Sequence, residues 1–424
     1  MGAGAGKGIR LKNPTLVILT LALGAMALAF ASSLFFYVFY VCLILVLTSY
    51  LWVRALVGKL TLAREMRSDW VQVGDQLRER FTLTNESRVG VLWAEIQDHS
   101  NVPDYEAGRV EAVGGRQYRK WGAQAVCTRR GLYTLGPVTI RLGDPFGLFQ
   151  ASWDQTATRS FLVYPPLFDL PGLDLPRGAM AGASRTSLRT QQMTTNVATI
   201  RGYQPGDSLN RIHWPSTARA GSLMVKEFDL EPSGNLWIVL DLHRQWQAGE
   251  GNQSTLEYAI NIAGSLAHKV LAENRAVGLV AYGAEPVVIQ PGKGLRQLRR
   301  MLEHLAVAQV GDYALPPLLS DLGASFGRGM TVAVVTPSSD PAWMVGLVDL
   351  ARRGLTPAAV ILDAKSFGSA SDSAALLGEL ARFNIRAFLI RRGQRFSPLG
   401  TQRQRQEPGY RVLASGRVIR TSGE

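Results

Sequence analysis

The stretch Ile200–Gly221, IRGYQPGDSLNRIHWPSTARAG, gathers Arg201, Tyr203, Asp207, Arg211, His213, Trp214, Ser216 and Arg219 into one short segment. Three chemistries are open to such a set. His213 could serve as a general base for Ser216 with Asp207 as the orienting acid, the relay that acyl transfer needs. Residues of one loop rarely converge on one substrate atom, and no Gly-x-Ser-x-Gly elbow surrounds Ser216, so no convincing catalytic constellation results. Arg201, Arg211, Arg219 and Lys226, interleaved with Tyr203 and Trp214, could instead line a basic, aromatic groove for nucleic acid. The third reading is structural. Pro205-Gly206 turns the chain, Asp207 caps a short helical turn through Arg211 and Ile212 and pairs with Arg211, and Pro215 ends that turn after Trp214. Arg201, Tyr203, Asp207, Arg211 and Trp214 then lock two neighbouring domains together. His213, Arg201 and Arg219 stay outside as a docking edge. The expectation is lock first and docking edge second.

Other catalytic chemistries find little support. The two cysteines, Cys42 in an apolar run and Cys127 in a strand pattern, provide neither a disulfide framework nor a thiolate metal site. Gly292–Arg296, GKGLR, lacks the second half of a phosphate-cradling P-loop, so no nucleotide cofactor is expected.

The elements that must position these residues begin with a membrane segment. From Asn13 to Val53 the chain carries no charge over forty-one residues, and a helix needs about 20 apolar residues to cross a bilayer. Ser32-Ser33 divides the run into two crossings, a transmembrane helical hairpin within residues 1–59. Lys7, Arg10 and Lys12 before it and Arg54, Lys59, Arg64 and Arg67 after it place both ends in the cytoplasm. A cleaved signal peptide would explain the first apolar segment but leave the second as an anchor with the body outside. The expectation is a multi-pass protein of the cytoplasmic membrane with a cytoplasmic body.

Residues 60–166 show short alternating segments, with Leu77, Glu79, Phe81 and Leu83 at a period of two, and read as an antiparallel β-sandwich-like domain. Residues 167–234 read as a linker rich in Pro, Gly, Ser and Thr, followed by the Ile200–Gly221 loop. From 235 to 392, LWIVLDL, AVGLVAY, MTVAVVT, PAAVILD and IRAFLIR are nearly continuous apolar runs, as parallel strands covered on both faces require. Helical stripes separate them, Tyr258, Ile262, Leu266 and Val270 on one and Leu295, Leu298, Leu302 and Leu305 on another. The result is a doubly wound α/β domain, and the whole chain an α+β multidomain protein. Residues 393–424 form a basic tail; counted from Arg391 to Glu424, eight Arg and two Glu supply nearly half of the +13 net charge. Beside a membrane hairpin, anionic headgroups are a simpler partner for these arginines than nucleic acid.

RGLYTLGPVTIRLGDPFGLF (130–149), then YPP (164–166), then RGYQPGDSLNRIHWPSTARAGSLMVKEFD (201–229) resemble, in order and spacing, the successive signatures of domain-of-unknown-function family 58. With the hairpin and the α/β unit, the resemblance covers nearly the whole chain. It implies a membrane protein with a von Willebrand factor A-like α/β domain, in the genetic company of MoxR-type AAA ATPases or transglutaminase-like proteins, an architecture rather than a reaction. A transglutaminase-like Cys-His-Asp arrangement is not matched, because Cys127 lies among strands. A metal-binding von Willebrand A domain places Asp-x-Ser-x-Ser after its first strand, since Mg²⁺ takes hard oxygen ligands. Here the position reads Asp241-Leu242-His243-Arg244-Gln245, so Asp241 alone matches while His243 and Gln245 replace the hydroxyls. No working metal site is expected. The functional expectation is a membrane-anchored adaptor for a protein partner, a MoxR-type AAA ATPase, engaged through the strand ends near Asp241 and the 201–219 loop, including Gly206. A ligand-binding von Willebrand A protein with a remodelled metal site, or a binder of nucleic acid or anionic lipid, are the alternatives.

Overall fold

The computed structural model describes residues 8–30, 32–66, 68–176, 197–204, 212–228, 235–323, 329–394, 396–399, 409–412 and 418–421. The chain divides into two compact units, residues 1–165 and 166–424.

The first unit opens with the strand Gly8–Leu11 and two helices, α1 (Thr15–Phe30) and α2 (Ser33–Leu56). They pack on each other, with Phe30 against Phe35 at 6.2 Å between ring centroids and Gly24 facing Phe39, where a Cβ would sit 2.9 Å from the ring. α2 is long and apolar enough to cross a membrane. Its 24 residues extend about 36 Å at ~1.5 Å each. The 16 residues of α1 reach only about 24 Å, short of a hydrocarbon core ~30 Å thick.

The rest of the unit is strand. One sheet runs Gly8–Leu11, Phe149–Gln155, Val138–Gly143, Val91–Asp98, Arg109–Val113, antiparallel throughout. A second joins Leu60–Met66, Gln76–Asn85 and Tyr118–Val126. A third sets Arg159–Tyr164 between Gly131–Leu135 and the parallel strand Trp70–Gln72. One core takes Leu77, Phe81 and Leu83 from the second sheet, Ile96, Ile140 and Trp153 from the first, and Val53 and Leu56 from α2. Alternation along Gln76–Asn85 follows from the pleat, which sends every second side chain inward.

The second unit is built on a six-stranded sheet in the order Pro286–Gly292, Val277–Tyr282, Leu236–Leu240, Thr331–Thr336, Thr356–Leu362, Arg386–Ile390. All neighbours are parallel except the Pro286–Gly292 edge. All five apolar runs of the sequence are its parallel strands. Numbered along the chain, the order is 3-2-1-4-5-6, with a switch point between Leu236–Leu240 and Thr331–Thr336. After α3 (Trp214–Ala220) come α4 (Thr255–Ala272), α5 (Gly294–Val307), α6 (Leu315–Gly323), α7 (Ala342–Arg352) and α8 (Leu376–Arg382). Trp237, Val239, Val332 and Val334 pack with α6, α7 and α8. α4, capped by Ser254 Oγ accepting from Glu257 N, packs along the sheet and on α5.

Two expectations change here. Leu295 is 82% exposed, while Met301 is buried beside Leu298, Leu302 and Leu305. Leu295 sits at the edge of the stripe that Met301 widens toward the other side, and in the first turn of α5 nothing covers it. The connection after Pro165, read from the sequence as a linker, is over residues 166–176 a strap packed within the second unit. Phe168–Asp169 pairs with Ser397–Pro398 at the start of the tail, and Phe168 N donates to Ser265 Oγ. Lys269 Nζ reaches Leu173 O and Asp174 Oδ1 at 3.2 and 2.8 Å. Leu170 and Leu173, buried residues of the strap itself, supply the apolar reason for it to fold back.

Candidate functional site

The Ile200–Gly221 segment is an antiparallel hairpin, Val197–Gly202 with Met224–Phe228, carrying α3 between its arms. Arg201 pairs with Val225 in its ladder, Tyr203 N donates to Leu223 O, and Ile212 bridges to Val225. Gly206, Asp207 and Arg211 lie outside the described residues, as does the side chain of Arg201. The expected turn through Arg211 lies outside the described residues, and Pro215, expected to stop it after Trp214, stands with Trp214 in the first turn of α3. A first-turn proline loses no helical hydrogen bond, because its missing N–H would have had no partner, and its fixed φ suits the helix. α3 ends at Gly221, whose φ of +66° is the left-handed conformation that glycine tolerates.

His213 precedes α3, and its Nδ1 lies 2.7 Å from Ser216 Oγ, three residues on. His213 O also accepts from Ser216 N and Thr217 N, so this contact closes the first turn of the helix. Trp214 projects outward at 66% exposure, with Arg219 exposed on the same short helix. Tyr203 is half-buried.

A second polar cluster lies at the switch point of the sheet, at the carboxyl ends of Leu236–Leu240 and Thr331–Thr336, where open α/β sheets form their binding crevice. Asp241, 2% exposed, accepts from Thr336 Oγ1 at 2.6 Å through Oδ2 and from His243 N at 3.0 Å through Oδ1. The relay continues: Thr336 Oγ1 accepts from Ser338 N at 2.9 Å, and Ser338 Oγ from Asp340 N at 3.2 Å. Burial raises the Asp241 carboxyl above its ordinary value, and the Thr336 hydroxyl and His243 N–H offset part of that rise. Gln245 is exposed on the turn Arg244–Trp246. It is Gln247 that folds back, donating to Asp241 O at 3.2 Å and accepting from Thr255 Oγ1 at 2.8 Å. Arg244 Nε pairs with Asp312 Oδ1 at 3.2 Å, and Asp363, at the end of Thr356–Leu362, stands 3.5 Å from Arg391 Nε.

These residues do not fit a hard divalent ion. Both Asp241 oxygens are held by donors of the chain itself, and histidine and glutamine stand where small hydroxyls would complete an octahedron. Among the described residues, no three His, Cys, Asp or Glu side chains form a metal-ligating group.

The hairpin, from its third residue on, and the switch-point loops fall together inside one matched segment. Residues 199–353 match the model of the family "Protein of unknown function DUF58". The DUF58 match thus starts on the first arm of the hairpin, takes in α3, the Asp241 loop and the Thr336 relay, and ends just after α7. The uncharacterized protein YeaD of Bacillus subtilis (strain 168) is 26% identical over 306 residues, 69% of this chain and 74% of that protein. Among solved structures, the CARDB domain of PF1109 from Pyrococcus furiosus covers 25% of this chain and 94% of its own at 15% identity, with a TM-score of 0.19. The sporulation control protein Spo0M of Bacillus subtilis covers 25% and 50% at 9% identity and a TM-score of 0.18. Scores this low establish no common fold.

A polar cluster in the first unit escaped the sequence reading. Glu79 lies on the buried face of its strand among Leu77, Phe81 and Leu83, accepts from Tyr105 OH, and has Arg64 Nε 3.6 Å away. Arg64 also bonds Asp98 and stacks over Phe81, 5.1 Å from the ring centre. Burial raises the Glu79 carboxyl above the ordinary 4.5 and outweighs both partners. A charged residue between two apolar ones at period two was the available signal.

Proposed function

We propose that this protein is a membrane-anchored adaptor whose second unit, a von Willebrand A-like domain, binds a protein partner, a MoxR-type AAA ATPase. In this reading the uncharged run Asn13–Val53 crosses the cytoplasmic membrane twice, α1 completing its crossing with the uncharged residues that flank its 16 helical ones. The β-sandwich-like unit follows in the cytoplasm, and the partner meets the α3 hairpin and the loops at the strand ends.

The observation that carries the reading is Trp214, two-thirds exposed on a helix held between hydrogen-bonded strands. Tryptophan and arginine dominate protein-binding hot spots, and a rigid support lowers the entropy lost on docking. The reading assigns no catalysis to His213 and Ser216. Their contact is used in shaping the turn that presents Trp214.

Co-purification of the full-length protein in mild detergent with the MoxR-type ATPase of the same organism tests the proposal. Wild type should retain the ATPase, and Trp214→Ala should weaken binding about thirty-fold, the equivalent of ~2 kcal/mol for a hot-spot tryptophan. Because the side chain is exposed, its melting temperature should not move. Failure of the wild type to retain the ATPase would falsify the partner assignment.

A further inference from the structure

The turn Asp144–Phe149, DPFGLF, holds an aromatic ring in solvent by rigid means. Asp144 is 1% exposed, and its carboxylate accepts from Phe146 N at 2.9 Å and Phe149 N at 2.6 Å. Gly147 N donates to Asp144 O at 3.3 Å, and Gly147 takes a φ of +73°. Asp, Pro and Gly at the first, second and fourth positions are the residues such a turn favours, so its shape is set without a partner. Leu148 is buried beneath it, yet Phe146 at the tip is 57% exposed.

Its place in the unit explains the exposed ring. Leu148 O accepts from Lys12 N at 2.7 Å and Gly147 O from Asn13 Nδ2 at 3.2 Å, and these two residues come just before α1. On the other side Phe149 packs edge-on against Tyr50 of α2, with 5.6 Å between centroids. The turn is therefore tied to the start of α1 and the end of α2. There the exposed apolar surface of both helices, from Ile18 and Leu19 to Leu47 and Leu51, gives way to polar surface. Arg10, Lys12, Arg54 and Lys59 are exposed around the same end. An apolar tip continuous with a lipid-facing surface and ringed by cations matches the boundary between acyl chains and anionic headgroups.

We infer that the Asp144–Phe149 turn is a membrane-interface anchor, with Phe146 seated at the headgroup boundary of an anionic bilayer, orienting the β-rich unit on the membrane. The inference rests on reading α2 as a membrane span. Full-length protein with Cys42→Ser and Cys127→Ala is spin-labelled at Phe146→Cys or, separately, at Leu43→Cys in mid-α2. Each is placed in phosphatidylglycerol–phosphatidylethanolamine vesicles and, for comparison, in lipid-free amphipol. The expected result is loss of accessibility to a water-soluble nickel chelate at both positions in vesicles, with position 146 exposed again in amphipol. A chelate-accessible label at 146 with 43 protected overturns the anchor and leaves the span. Accessibility at both overturns anchor and span together, and protection at 146 persisting in amphipol assigns the cover to protein and also overturns the anchor.

Discussion

Two of the buried carboxylates, Asp241 and Glu79, face opposite situations. Asp241 has each oxygen hydrogen-bonded, whereas Glu79 has Oε1 buried without a hydrogen bond and an arginine 3.6 Å off. For Glu79 the desolvation of the charge is the larger effect, so its folded pKa lies above the ordinary 4.5. The native state then holds its proton more tightly than the unfolded chain does. The stability this group contributes is complete below 4.5 and is lost as pH rises through the raised value. Glu79→Gln, which keeps shape and the acceptor for Tyr105, should therefore melt with a shallower decline from pH 4.5 toward neutrality than wild type. If the wild-type curve is the shallower one, Arg64 rather than burial governs the group. At this scale the sequence was partly readable. Asp241 stood out only through the family resemblance, as the one match to the Asp-x-Ser-x-Ser position, while Thr336 did not, because a threonine closing a β-branched strand looks like any other strand residue.

At the scale of elements, the Thr336–Asp241 bond joins the ends of two neighbouring parallel strands at the switch point. Removing the hydroxyl leaves an Asp241 oxygen and the Ser338 N–H buried without their partner. Thr336→Val should cost about 1–3 kcal/mol for such an orphaned group, read as a lowered denaturation midpoint of the second unit. A variant with unchanged midpoint would mean that the loop repacks freely. The elements themselves were largely legible, since continuous apolar runs and alternating ones reflect burial on two faces or one. What failed were positions decided by neighbours: Leu295 at the margin of its stripe, Pro215 in the first turn of a helix, and a Pro- and Gly-rich strap that packs through Leu170 and Leu173. Composition reports backbone freedom, and a few buried leucines are enough to override it.

At the scale of the whole molecule, the uncharged run, its basic flanks and the exposed apolar faces of α1 and α2 bear on topology together. If both helices cross with the flanking cations inside, protease added to sealed inside-out vesicles should remove both soluble units and leave a protected fragment covering Asn13 to Val53. A body protected in those vesicles would place it on the opposite side and remove the cytoplasmic ATPase as a partner. Screening by salt should release any tail-to-lipid attraction but not the anchor itself, because apolar burial is insensitive to the Debye length.

By itself the sequence determined the succession of an apolar N-terminal segment, a strand-rich unit and a parallel-stranded α/β unit, because charge absence and hydrophobic period are local consequences of which faces leave water. Only the tertiary structure decided that Asp241 meets Thr336 across 95 residues, that Glu79 meets Tyr105 and Arg64, and that the DPFGLF turn closes against Lys12 and Asn13. Contacts of that range leave no periodic trace in the chain. They depend on strand order and on which ends the crossovers bring side by side.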